Sequence, residues 1–158
     1  MKYGEDTLFW YYVYLASTGK GRIIINTPVY FYRKHENSAM GKTDAASYSI
    51  HTCDLIKMGK TYQQVLKENP AMTSEKADNT RKRIQLSILG ALTILPKSDL
   101  DYSKTMSKLR QDGLYPLPIM WWHIIDTVGW KNRIIEAIKL GFSWELFYKI
   151  YYTIRKAE

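Results

Sequence analysis

The chain has 158 residues, 46% hydrophobic and 24% charged, which is the composition of an ordered protein with one sizeable core. Charged residues interrupt its apolar runs well short of the ~20 residues needed to span a bilayer, no signal peptide opens it, and one cysteine, Cys53, excludes a disulfide framework or a cysteine-based metal site. A formal charge of +8 points to polyanions such as nucleic acid, anionic lipid or phosphorylated substrates without choosing among them.

Glu5 to Ser17 (E-D-T-L-F-W-Y-Y-V-Y-L-A-S) is apolar nearly all round, with Leu8, Tyr11, Tyr12 and Leu15 on one face, so a mostly buried helix is expected, ending near Gly19 or Gly21. Its acidic start, Glu5-Asp6, suits the positive end of a helix. R-I-I-I-N at 22–26 and V-Y-F-Y-R at 29–33 are β-branched and aromatic runs that read as two strands joined by a turn at Asn26 to Pro28. Two strands do not make a stable sheet, and no third of comparable quality follows.

Helical patterns take over from residue 43. Thr43 is placed to cap a helix ending at Gly59, and Thr61 with Gln64 has the spacing of a capping box for a second, short helix stopped by Pro70. Ile84, Ile88, Ala91, Leu92 and Leu95 trace a 3.6-residue stripe ended by Pro96. Ser98 or Asp101 can start a helix through Leu109 that Gly113 closes, residues 115–118 form an extended connector, and helices are expected over 119–140 and 144–156. The basic cluster Arg81-Lys82-Arg83 reads as a solvated helix face. The organisation expected is a short, incomplete α/β head over 1–42 and a helical C-terminal domain over 43–158.

G-E-D-T-L-F with its helix, followed about thirty residues later by a strand and P-V-Y-F-Y-R-K-H-E-N-S-A-M, resembles the end of the catalytic domain of family-2 glycosyltransferases. Those enzymes carry an E-D pair at a helix start and then an aromatic-Tyr-Arg-x-His-x-x-Ser stretch. The resemblance covers about residues 3–40, a quarter of the chain. It implies a mainly α chain whose head is the C-terminal fragment of a Rossmann-like nucleotide-sugar transferase fold, followed by a multi-helix domain. It implies an inverting transfer of a sugar from a nucleotide-sugar donor to a glycan or lipid-linked acceptor. Asp6 would be the base that takes the acceptor proton and Glu5 would orient it or touch the acceptor. Arg33, His35 and Ser38 would face the leaving diphosphate, with His35 also a contact to a divalent metal, Mg or Mn. The family's Asp-x-Asp motif precedes its E-D pair, whereas the sole match here, Asp99-Leu100-Asp101, lies downstream among helix-cap signals. Alone, the chain is therefore expected to lack a donor site and to be inactive.

Other readings stand beside this one. Glu5 and Asp6 serve equally as a plain helix opening, and His51 and His123 fall within helical patterns and read as packed or exposed rather than metal-bound. A basic chain with 13 tyrosines fits a nucleic-acid-binding helical module, although the aromatics fall at core spacings and the basic residues are scattered. W-W-H-I-I-D-T-V-G-W-K-N-R and S-W-E-L-F-Y-K-I-Y-Y-T-I-R-K mix Trp, Tyr and basic residues as interfacial helices do, and an ordinary core explains them too. The expected setting is cytoplasmic, with peripheral membrane contact and self-association (a homo-oligomer) left open.

Overall fold

The computed structural model describes residues 5–17, 44–118, 121–126 and 129–132, with 146, 149 and 153. Helix α1 is Glu5–Ala16, α2 is Ala45–Glu68, α3 is Ser74–Ile94, α4 is Tyr102–Gln111 and α5 is Trp121–Asp126, with a 3₁₀ turn Leu95–Lys97 after α3. Helix makes up 81% of the described residues, and no strand or sheet occurs among them. This corrects the expected α/β head of a Rossmann-like fold: α1, which was to form part of that incomplete head, packs by its side chains on the helical body. The two expected strands, 22–26 and 29–33, lie outside the described residues.

The centre of the fold is an antiparallel hairpin of α2 and α3, joined by Asn69 to Thr73. Asp44 caps α2, accepting from the Ser47 amide at 2.7 Å and from the Ser47 hydroxyl at 3.0 Å. The cap thus falls one residue after Thr43. Helix α2 runs 24 residues without a break at Gly59, which corrects the expected pair of shorter helices. Thr61 and Gln64 are mid-helix: the Thr61 hydroxyl donates to the Lys57 carbonyl at 3.0 Å, and Gln64 donates to Glu68 Oε1 at 2.7 Å. Asn69 ends the helix by donating its side-chain amide to the Val65 carbonyl at 2.8 Å, and Pro70 cannot continue it.

Gly59 survives inside α2 because α3 needs the space. A Cβ at Gly59 would stand 2.8 Å from Ile88 Cδ1, and one at Gly90 would stand 3.4 Å from Leu55 Cδ1. Each helix therefore presents a glycine where the other presents a branched apolar side chain. On one side of the hairpin, Ile88, Leu92 and Leu95 pack with Met106, Leu109 and Leu114 of the α4 region. On the other, Met58, Tyr62 and Val65 pack with Tyr11 of α1.

Asp101 caps α4 by accepting from the Lys104 amide at 2.7 Å. The helix closes where Gly113 adopts φ of +67°, so that Gly113 N–H reaches the Arg110 carbonyl at 3.0 Å and Leu114 N–H the Leu109 carbonyl at 2.9 Å. This is a Schellman end, and its usual apolar contact is the burial of Leu109 and Leu114 in one cluster. Gly129 has φ of +88°, outside any helical conformation, so 119–140 is not one uninterrupted helix. No helix among the described residues is long and apolar enough to cross a membrane.

The glycine contact can be tested by its sign. Alanine gains ~1 kcal/mol of helix propensity over glycine, while forcing a methyl against a packed isoleucine costs ~1–3 kcal/mol. Gly59→Ala is expected to destabilise the native background and to stabilise an Ile88→Val background, in which Cδ1 is gone. Urea unfolding of the four proteins reads this; a Gly59→Ala that stabilises the native background would contradict the close approach.

Candidate functional site

Glu5 and Asp6 stand in the first turn of α1, both exposed, and neither takes a hydrogen bond or ion pair among the described residues. The other helix starts show what a capping side chain does here: Asp44, Thr73 and Asp101 each precede their helix and accept from the amide three residues on. Glu5 and Asp6 are inside α1 and are left with both carboxylates facing solvent. Arg33, His35 and Ser38 lie outside the described residues, so their expected meeting with the pair lies outside them too. No group of three or more His, Cys, Asp or Glu side chains that could hold a metal ion occurs among the described residues. His51 is half-buried in α2, and burial pushes its pKa below the usual histidine value against the pull of Asp54.

The position of the pair is fixed by what holds α1. Tyr11 is fully buried, edge-on to Tyr62 with ring centroids 4.7 Å apart. Its hydroxyl is 2.7 Å from Thr80 Oγ1, and because Thr80 itself donates to the Lys76 carbonyl at 2.7 Å, Tyr11 is the donor of the pair. The Arg83 guanidinium lies 5.3 Å from the centre of the Tyr11 ring. At the other end, the Lys76 ammonium donates to the carbonyls of Leu15 and Ser17, both at 2.7 Å, and so occupies carbonyls that end α1. The expectation of a mostly buried α1 is corrected. Phe9, Trp10, Tyr12 and Val13 are exposed, because only the stripe through Leu8, Tyr11, Tyr14 and Leu15 reaches the body.

The cluster Arg81-Lys82-Arg83 disperses into separate contacts. Arg81 pairs with Asp78 at 2.6 Å, Lys82 lies over Trp122 at 5.3 Å, and Arg83 donates to Asn79 Oδ1 at 2.9 Å. The chain's more concentrated basic feature went unread in the sequence. A cleft of about 280 Å³ between α2 and α4 has Ile56, Leu100 and Leu109 among its lining, and Lys57, Lys60, Lys104 and Lys108 line it as well. Lys57 and Lys60 on α2, with Lys104 and Lys108 on α4, are the signal that could have revealed it, since three- and four-residue spacings share a helix face. No family model, curated protein or solved structure matches this chain.

The anchor under α1 predicts an asymmetry. Tyr11→Phe removes a donor but leaves Thr80 bonded to Lys76, so a loss of ~1 kcal/mol is expected; Thr80→Val strands a buried hydroxyl and should cost more, up to ~3 kcal/mol. Burial raises the Tyr11 and Tyr62 hydroxyls above the ordinary tyrosine value of 10.0, with hydrogen bonding to Thr80 opposing it at Tyr11 and Arg83 opposing it at Tyr62. The folded state therefore keeps these protons where the unfolded chain has begun to release them. Their contribution is intact below about pH 10 and is lost as pH climbs through the higher folded values. Denaturant midpoints across this range should fall less steeply in Tyr11→Phe than in the native protein; equal slopes would contradict the burial account.

Proposed function

We propose that this chain supplies the acceptor-activating carboxylates of an inverting glycosyltransferase, which moves a sugar from a nucleotide-sugar donor to a hydroxyl of a glycan or lipid-linked acceptor. The observation that carries the reading is the state of Glu5 and Asp6: exposed in the first turn of an anchored helix and unspent on capping. Together with the E-D and Tyr-Arg-x-His-x-x-Ser stretches in order, this supports a chemical use for the pair beside its favourable place at the positive end of the helix.

In that reaction the Asp6 carboxylate takes the proton of the acceptor hydroxyl as its oxygen bonds to the anomeric carbon. The bond from that carbon to the diphosphate breaks on the opposite face, its electron pair leaving with the nucleotide diphosphate, and the configuration inverts. Glu5, the adjacent residue, orients Asp6 or receives a second acceptor hydroxyl. Arg33, His35 and Ser38 are assigned to the leaving diphosphate, where cationic and hydrogen-bonding groups offset the charge that accumulates. Among the described residues nothing fits a divalent metal, since Glu5 and Asp6 have no third ligand beside them, and no step here is routed through one.

Asp6→Asn preserves size and removes the base. In a preparation that transfers sugar, turnover is expected to fall by ~10²-fold or more while donor affinity stays nearly unchanged. His35→Ala should show the converse, weakened donor binding. Melting temperatures should stay close to that of the native enzyme in both variants. Normal turnover in a well-folded Asp6→Asn enzyme would end the assignment.

A further inference from the structure

The lysine-rimmed cleft between α2 and α4 is a site that the sugar-transfer reading does not use, and it stands or falls independently of that reading. Its apolar lining, Ile56, Leu100 and Leu109, comes from α2, from the approach to α4 and from α4 itself. At about 280 Å³ it is roughly twice the ~150 Å³ cavity that accepts benzene. That is room for a short alkyl segment and too little for a whole lipid. The four lysines that line it are unequal. Lys57 lies 3.6 Å from Asp54 and Lys60 is paired with Asp112, whereas Lys104 and Lys108 have no ion pair among the described residues. With two of the four ammonium groups balanced, the cleft carries a local surplus of two positive charges beside an apolar hollow.

We propose that this cleft binds a single-chain anionic amphiphile, its alkyl segment in the hollow and a phosphate-like head between Lys104 and Lys108. An inorganic anion alone would leave the hollow wet, and a neutral amphiphile would leave the two lysines without a partner. The combination answers both, because burial of the chain supplies a non-directional attraction and the head takes charge-assisted hydrogen bonds.

Cys53 lines the same cleft and is the chain's one cysteine, exposed and free, so its alkylation rate reports occupancy without an added probe. The full 158-residue chain is treated with N-ethylmaleimide in the presence of dodecyl phosphate below its micelle concentration, of dodecyl maltoside, or of inorganic phosphate. If the rate follows the free fraction, dodecyl phosphate at four times its dissociation constant slows labelling about fivefold. Inorganic phosphate and the maltoside should leave the rate nearly unchanged at equal concentration. Lys104→Gln with Lys108→Gln should weaken the dodecyl phosphate effect by about tenfold or more in dissociation constant. A matched loss of two charges away from the cleft, Lys67→Gln with Arg81→Gln, should not; circular dichroism confirms that both variants keep their helices. Absence of protection by dodecyl phosphate would overturn the proposal. So would equal protection by the maltoside, which would make the cleft merely apolar, or equal protection by inorganic phosphate, which would make it an anion site without use of the hollow.

Discussion

Where α2 crosses α3, Gly59 and Gly90 remove the side chains that would hold the two helices apart, and Ile88 and Leu55 move into the space. Interaxial distance is set by the side chains at the contact, so this exchange fixes how near the helices lie and in what register. The two clusters on either side depend on it. Ile88 is fully buried and belongs to the cluster that seats α4, while Met58, the neighbour of Gly59, belongs to the one that seats α1. The carboxylate pair and the lysine cleft are therefore positioned from one crossing, on helices that need not touch each other.

Helix starts and stops whose cause is local were legible in the sequence. Asp101 and Gly113 bound α4 through bonds that span three to five residues, and the stripe Ile84, Ile88, Ala91, Leu92 and Leu95 has a period that only a helix satisfies. Gly59 was misleading because its local cost, ~1 kcal/mol against alanine, is offset by a packing arrangement that appears only once α3 is in place. With Gly59 taken as a break, Thr61 and Gln64 inherited a capping role that belongs to no helix start. The exposed aromatics of α1 follow the same logic: an all-round apolar pattern fixes that a segment is helical, while its burial depends on how many neighbours it meets.

The chemistry divides in a similar way. The carboxylate pair is contiguous in sequence, so a motif can find it. The cleft is assembled from side chains about fifty residues apart, and periodicity within α2 or α4 shows only that each carries a basic row. Closing that gap requires the pairing that brings Lys60 to Asp112 and lets Gln63 donate to the Gly113 carbonyl at 3.3 Å. Nothing in the local pattern of either segment names the other.

The way α1 is held has a mechanical side. Leu8, Tyr11, Tyr14 and Leu15 seat it in the body and Lys76 grips its last carbonyls, so the helix is held along its inner face and at its end, with Glu5 and Asp6 just ahead of the first contact. Asp6 lies about 3 Å ahead of Leu8 at 1.5 Å per residue, so a tilt of roughly 10° about that contact shifts its backbone by only ~0.5 Å. Loosening Lys76 would uncover the carbonyls of Leu15 and Ser17 and let the far end of α1 fray, while the first turn stayed seated through Leu8 and Tyr11.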